Sequence, residues 1–286
     1  MDRSVRASYL HHMDKQRTAS SDSSPVAPAT VADTRNFLIE RSGRTFTPLG
    51  KTFIQNPDRT ASSRRAPLAQ FVTHRDHRGL LALLMLHTII SSGDHEDGWS
   101  ASLPLPVWAR AFATTATATD ASAKSAATKI LTRLQARHLI ERRHGGPRAV
   151  VITLLSPDGS AEPYTRPIGA AATSRFIRLN HRFWTEEWDT HLSLPAVAML
   201  LVALHEKPGF PLPTERMPAW YGWSADTAER GLRELRDNGL LHVERRTRTS
   251  PLSPTGLSTQ NLYTLQAPFD PDTLTRDIAA RTRTRP

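Results

Sequence analysis

One stretch in the C-terminal third of the chain changes from helical to strand spacing across a glycine. Ala228, Leu232 and Leu235 recur at intervals of four and three residues, which predicts a helix with one buried face. Ser224 stands just before them, where a serine oxygen can accept a hydrogen bond from an otherwise unpaired backbone N–H. Gly239 suits the left-handed turn at the end of a helix. We therefore predict a helix followed at once by a strand.

A second stretch, earlier in the chain, has the same organisation. A helix is predicted from about Asp120 to His138, with Asp120 or Ser122 as its cap. A strand then covers residues 139–143, and the β-branched residues of 149–155 predict its return partner. The predicted buried face of this helix consists of Ala123, Ala127, Ile130, Leu131 and Leu134.

These two stretches form an internal repeat. RLQARHLIERR at 133–143 parallels ELRDNGLLHVERR at 234–246, with a gap of two residues. Each copy follows two further predicted helices, which are at 80–90 and 104–112 for the first copy and at 194–205 and 213–220 for the second. A short strand is also predicted at 99–103, and the return strand of the second copy is predicted at 260–265.

The chain is strongly basic, with a formal net charge of +10 over 286 residues. Such a balance indicates a nucleic acid or another acidic surface as the partner. Cysteine is absent, which excludes disulfides, thiolate zinc sites, iron–sulfur clusters and cysteine nucleophiles. No apolar run reaches the roughly 20 residues of a membrane span, and the N-terminus is too polar for a secretory signal. We expect a cytoplasmic protein.

The outer faces of the two helices and the hairpins that follow them are the candidate binding surface. Phosphates attract cations, and guanidinium groups match the edge of guanine. On the first helix and hairpin the candidates are Ser122, Lys124, Ser125, Thr128, Lys129, Arg142, Arg143 and Arg148. On the second they are Ser224, Asp226, Thr227, Arg230, Arg233, Arg245, Arg246 and Arg248. The alternative is a solvated face that serves solubility or protein contact.

The order of helix, tight turn, strand, basic tip and strand resembles the second half of a winged helix–turn–helix. The plan of two unequal copies resembles plasmid replication initiators that bind repeated origin sequences, and also winged-helix transcription regulators. The resemblance covers residues 67–265. It implies that each copy inserts its third helix into a major groove while its hairpin contacts phosphate or the minor groove. Half-sites about one helical turn apart would follow.

We therefore expect a mainly α fold with small β-hairpins, in the α+β class, containing two tandem winged helix–turn–helix domains. The first domain spans 67–156 and the second 174–267, with a linker at 157–173. Residues 1–66 are predicted to be a largely disordered basic arm with a short hairpin as an option. Residues 268–286 are predicted to be a basic tail in which a short packed helix is allowed.

The expected function is sequence-specific binding of double-stranded DNA without catalysis. Origin binding in the replication of a plasmid or mobile element is the first interpretation, and promoter binding by a transcription regulator is the alternative. Either role implies a bacterial protein associated with the nucleoid or a plasmid. A protein–protein scaffold and an enzyme with an unfamiliar motif remain competing classes. No phosphate-binding, dinucleotide-binding, serine-hydrolase or metalloprotease motif occurs. We expect no cofactor and no membrane partner, and a homodimer stays open.

Two polar clusters contain residue types that bind metals. One consists of His74, Asp76 and His77, and the other is the loop at 94–97. Neither has a ligand spacing typical of a fixed metal site, so solvated loops are the favoured interpretation and no metal is expected. Four tryptophans are predicted to lie in the core rather than to stack on bases: Trp184, Trp188, Trp220 and Trp223.

Overall fold

A computed structural model describes residues 27–93, 98–116, 118–146 and 148–284. The fold is of the α+β class, with eleven α-helices and three small antiparallel sheets in this part of the chain. The helices are α1 Val31–Arg41, α2 Pro67–Thr73, α3 His77–Ile89, α4 Leu105–Ala111, α5 Asp120–Ala136, α6 Arg182–Thr185, α7 Trp188–His191, α8 Leu194–His205, α9 Met217–Trp220, α10 Ala225–Asp237 and α11 Pro271–Thr284. The strands are β1 Phe46–Gly50, β2 Ser100–Pro104, β3 Ile140–His144, β4 Ala149–Leu154, β5 Phe176–Asn180, β6 Phe210–Pro211, β7 Leu241–Thr249 and β8 Leu257–Leu265.

The two halves of the chain share one order of elements. In the first half, α3, β2, α4 and α5 lead into the hairpin β3–β4, and the strands pair in the order β2-β4-β3. In the second half, α8, β6, α9 and α10 lead into the hairpin β7–β8, and the order is β6-β8-β7. The internal repeat seen in the sequence therefore extends over six elements and includes the strand order.

The third helix of each repeat is α5 in the first half and α10 in the second, and the turn between this helix and its hairpin is the same in both halves. The N–H of Leu139 donates to the carbonyl of Leu134, and the N–H of Leu240 donates to that of Leu235, at 3.2 and 2.8 Å. An apolar pair begins each hairpin, Leu139-Ile140 in the first half and Leu240-Leu241 in the second, and the residue before each pair has positive φ. It is Gly239 at 72° in the second half, as the sequence predicted, but a histidine at 56° in the first. The repeat thus preserves a backbone conformation even where the favoured glycine is absent.

Two local predictions differ from the structure. The cap of α5 is Thr119, whose hydroxyl accepts from the N–H of Ser122 at 3.4 Å, and not Asp120 or Ser122 itself. The helix predicted at 213–220 is a single 3-10 turn followed by the four-residue α9. By contrast, Ser224 caps α10 as predicted, because its Oγ accepts from the N–H of Thr227 at 3.2 Å.

A two-stranded sheet joins the halves, and its register is symmetric. The motif Phe-x-x-Leu occurs in β1 at Phe46 and in β5 at Phe176. Pro48 pairs with Arg178, and each is the third residue of its motif. Gly50 consequently pairs with Phe176, and the residue after Leu179 pairs with Phe46. A local two-fold axis therefore passes through the central pair and exchanges the equivalent residues of the two strands.

The N-terminal segment is more ordered than the sequence indicates. Residues 31–41 form α1, where a largely disordered arm was expected, and β1 pairs with β5 rather than within a local hairpin. Arg35 holds α1 in place: its Nη1 donates to the carboxylate of Asp189 at 2.6 Å and its Nε to the carbonyl of Ala111 at 2.9 Å. Residues 1–26 of the predicted arm lie outside the described residues.

The C-terminal segment also packs against the fold. The predicted basic tail forms the 14-residue α11, in which Asp277 accepts two bonds from Arg182 at 2.8 Å and one from Asn180 at 2.9 Å. The predicted linker is largely irregular, with a bridge between Leu155 and Pro163 and one 3-10 turn at 172–174.

One continuous hydrophobic core contains residues of both halves, and Val31–Pro286 forms one compact unit. Trp184 and Trp223 are buried, and Trp188 and Trp220 pack against the core, as predicted. Across the junction, the indole N–H of Trp184 donates to the hydroxyl of Thr88 at 3.1 Å. Within the described residues, none of the helices has both the length and the apolar character needed to cross a membrane.

Candidate nucleic-acid interface

The outward side of α5 carries cations and small hydroxyl side chains. The helix buries the five positions predicted from the sequence, all with at most 2% exposure. Ser122, Ser125 and Lys129 are exposed, and Lys124 and Thr128 are half-buried. Along the described outward side of this helix the one carboxylate is Asp120, in the first turn, where it suits the helix dipole. The remaining length is therefore open to an anionic partner.

The structure brings one edge of α5 together with its hairpin. A groove of about 380 Å³ lies between Thr128 and Gln135 on the helix and Arg142 and Arg143 on β3. Arg142 is half-buried along this groove, and Arg143 is exposed. Arg148 stands exposed at the turn of the hairpin. The candidate residues of the first half thus form one surface that continues from helix to hairpin.

The outward side of α10 is a polar network around Arg230. The Nε of Arg230 lies 3.1 Å from a carboxylate oxygen of Asp226, and its Nη2 lies 3.4 Å from the hydroxyl of Thr227. That hydroxyl is 2.9 Å from the hydroxyl of Ser224. Arg230 and Asp226 remain more than half exposed, so the guanidinium is oriented but still accessible. Arg233 is exposed one turn further along the helix.

The inward side of α10 packs closely on α8. A Cβ added at Gly231 would lie 2.4 Å from the carbonyl oxygen of Pro195 and 2.7 Å from Cγ of Met199. Glycine is therefore required for this approach of the two helices. The carboxylate of Glu234 accepts from the N–H of Ser193, the cap of α8, at 2.7 Å and also from its hydroxyl. Together these contacts fix the direction in which the outward side of α10 points.

The first half fixes α5 at the equivalent position with the opposite charge. Arg133 corresponds to Glu234 in the internal repeat, and it donates to the carboxylate of Asp76, the cap of α3, at 2.9 and 3.1 Å. Arg137 donates to the same carboxylate at 2.6 Å. Burial disfavours the charge on Asp76, but these bonds outweigh it, so the pKa of Asp76 lies below its ordinary value of 3.8.

The second hairpin is longer and carries exposed arginines along β7. Arg245, Arg246 and Arg248 are all exposed, as the binding hypothesis requires. Arg246 lies 3.5 Å from the carboxylate of Glu244, which is a surface pair of small energetic weight. Within the described residues, Arg245 and Arg248 have no carboxylate partner. The cationic side chains of this hairpin are therefore largely available to an anionic ligand.

Of the two polar clusters that contain metal-binding residue types, the one around Asp76 makes other contacts. Asp76 caps α3 and binds two arginines, and Nδ1 of His74 lies 2.7 Å from the carbonyl of Gln70. The loop at 94–97 lies outside the described residues. Over the ranges that the structure describes, no three His, Cys, Asp or Glu side chains are grouped so that they could hold a metal ion.

Sequence reasoning missed three features that shape this surface. The contacts of Glu234 and Arg133 orient the third helices, but nothing local marks these two charges as contacts to the neighbouring helix. Gly231 was not recognised as a close-packing position, although a glycine within a helix was an available signal. Leu252, at the tip of the second hairpin, is 100% exposed and was not singled out.

Comparisons with protein-family models, with curated proteins and with solved structures found no match to this chain.

Proposed function

We propose that the protein binds double-stranded DNA sequence-specifically, with α5 and α10 as recognition helices and the hairpins β3–β4 and β7–β8 as wings. In this proposal each half is a winged helix–turn–helix. The observation that carries it is the repeated arrangement of six elements, in which the third helix presents an open polar side and the adjoining hairpin adds arginines. Phosphate contacts from the arginines would supply affinity, and base contacts from the helices would supply specificity.

The symmetry of the sheet that joins the halves supports a particular arrangement of the DNA. Because the β1–β5 axis exchanges equivalent positions, the two modules would meet the duplex in opposite senses. One chain would then read two dissimilar half-sites in inverted orientation, as a symmetric dimer reads a palindrome. The half-sites would differ in sequence, since α5 presents lysines and hydroxyls while α10 presents arginines.

Within DNA binding, initiation of replication on a plasmid or mobile element is the proposed role. Two non-identical modules in one chain suit a monomer that occupies repeated sites at an origin. Footprinting separates this role from promoter regulation. Protection of several repeats of the same compound site near an origin is the expected result, and protection of one site at a promoter would favour a regulator.

The decisive experiment removes Arg230 and Arg233 of α10, one at a time. A DNA site is first selected from a random pool, and its affinity is then measured for wild type, Arg230→Ala and Arg233→Ala. If the removed side chain contacts a guanine, the variant should lose about 1–3 kcal/mol of DNA-binding free energy, and its selectivity should relax at that base pair. Wild-type affinity should also fall steeply with rising salt concentration. Arg59→Ala changes an exposed arginine outside both helices and both hairpins and serves as the control.

The outcome can contradict the proposal in two ways. Unchanged affinity and selectivity in both α10 variants would remove this helix from the interface. An affinity that does not respond to salt would exclude phosphate contacts as its main source, and a protein partner would then be the better interpretation.

A further inference from the structure

The second hairpin extends much further from the core than the first. Val243 is the last residue of β7 that packs against the core, and every residue from Glu244 to Thr249 is exposed. Six strand residues at about 3.4 Å each place the tip roughly 20 Å beyond the core. In the first hairpin β3 has five residues and β4 has six, whereas β7 and β8 have nine each. The second hairpin, unlike the first, can therefore contact parts of a partner that the helices do not reach.

The tip of this hairpin is an ordered turn. The N–H of Ser253 donates to the carbonyl of Ser250 at 3.0 Å, which places Pro251 and Leu252 at the apex. The N–H of Ser250 and that of Gly256 close the loop at 2.7 and 2.9 Å. The hydroxyl of Ser253 also donates to the carbonyl of Leu257 at 2.7 Å. Proline restricts φ and the hydrogen bonds restrict the remaining backbone of the turn, so the backbone that carries the leucine is constrained.

The side chain at the apex is apolar and wholly exposed. Leu252 is 100% accessible, and no other large hydrophobic side chain in the described part of the chain reaches that value. The strands behind it carry Arg245, Arg246 and Arg248. An apolar apex on a cationic ribbon fits a partner that has negative charge outside and an apolar interior within reach. Duplex DNA has this construction, with phosphates along the minor groove and stacked bases inside.

We infer that Pro251 and Leu252 form a wedge that enters the minor groove beside the half-site of α10 and unstacks one base step. This inference rests on the proposed function. The arginines of β7 would hold the phosphates on either side, and the opened step would kink the duplex, as apolar wedges do when they enter a stack. The leucine would be buried against base faces, which removes its apolar surface from water.

The test uses the full chain and the DNA site that it selects. 2-Aminopurine is placed in turn at each step of the site, because its fluorescence rises when it is unstacked. Wild type should raise the fluorescence several-fold at one step. Wild type should also bind about tenfold more tightly to a site that is nicked at this step, since the stacking there is already weakened.

Three substitutions identify the side chain responsible. Leu252→Ala should leave the fluorescence at the level of free DNA and reduce the preference for the nicked site to about twofold or less. Leu252→Met keeps an apolar wedge and should behave as wild type. Ile168→Ala removes another exposed aliphatic side chain, 78% accessible and outside the hairpin, and should also behave as wild type. Because Leu252 contacts no core residue, none of these effects should arise from unfolding.

Other outcomes would overturn the inference. Unchanged fluorescence and nick preference in Leu252→Ala would exclude the wedge, and if Arg230→Ala still lowered specific affinity, the proposed function would stand without it. If Leu252→Ala altered only self-association in sedimentation, the tip would belong to a contact with a second copy. If wild type bound no duplex at all, both the proposed function and the wedge would fail.

Discussion

The stability of the fold should decrease sharply below neutral pH because two histidines are buried without charge. His87 is 2% exposed, and neither ring nitrogen has a hydrogen-bond partner among the described residues. Burial, assisted by the nearby charge of Arg44, lowers the pKa of His87 from 6.5 to about 3. Burial and the same arginine lower the pKa of His181 to about 3. Both groups are therefore neutral in the folded state at every pH near neutrality.

The sign and size of the effect follow from these pKa values. The unfolded chain binds protons at both histidines below about pH 6.5 and the folded chain does not, so stability is fully present above that pH and is lost as the pH falls toward about 3. Each histidine should contribute a loss of about 1.4 kcal/mol per pH unit, or about 4 kcal/mol for the pair at pH 5. Such a loss is comparable with the total stability of many domains.

Denaturant unfolding at pH 7.5, 6.5, 5.5 and 5 measures this slope. His87→Leu should remove about half of the pH dependence and should not lower stability at pH 7.5, because an unpartnered polar group is replaced by an apolar one. His242→Leu changes an exposed histidine of β7 and should retain the wild-type slope. A wild-type slope in His87→Leu would refute the assignment of His87 as a buried neutral group.

Two further substitutions test how the third helices are held. Gly231→Ala should destabilise the protein by about 2 kcal/mol, because the cost of the overlap between the added Cβ and the carbonyl of Pro195 exceeds the gain in helix propensity from alanine. Glu229→Ala, on the exposed side, should change the free energy of unfolding by no more than about 0.5 kcal/mol. Equal effects of the two substitutions would contradict this packing. Asp76→Asn keeps a helix cap but leaves Arg137 without its anion, so it should cost about 3 kcal/mol at pH 7. Since the pKa of Asp76 is lowered, this difference should persist above about pH 3.8 and vanish as the pH falls through the folded pKa.

The sequence was sufficient for elements defined by local chemistry. The bounds predicted for α8 agree with the structure, because a serine cap and a proline at the first turn mark its start. The buried face of α5 and the glycine turn after α10 were also correct, since periodicity and positive φ are local properties. The candidate residues on the outward sides of both helices are accordingly exposed or half-buried.

Long-range pairing could not be obtained in this way. The β1 strand contains a proline and a glycine and has weak strand propensity, so only its partner β5, far along the chain, makes it a strand. Similarly, α1 contains Arg35, which a local pattern assigns to the surface because it is charged. In the structure it is buried and paired with Asp189. Such elements are stabilised by contacts that a local pattern does not contain. The prediction of a disordered arm was therefore wrong for α1, and the strand allowed in this region pairs with β5 instead of forming a local hairpin.

The charge reversal between the two halves connects the packing of the third helices to their proposed use. Arg133 binds Asp76 with its side chain still 44% exposed, and the other residues on the outward side of α5 are mostly lysine and hydroxyl groups. At the equivalent position in α10, Glu234 binds Ser193, and the outward side presents arginines together with exposed acids such as Glu229. The anchoring position therefore engages a cation on α5 and an anion on α10. If both helices contact DNA, this difference assigns guanine recognition chiefly to α10, since a guanidinium forms paired bonds that an ammonium does not.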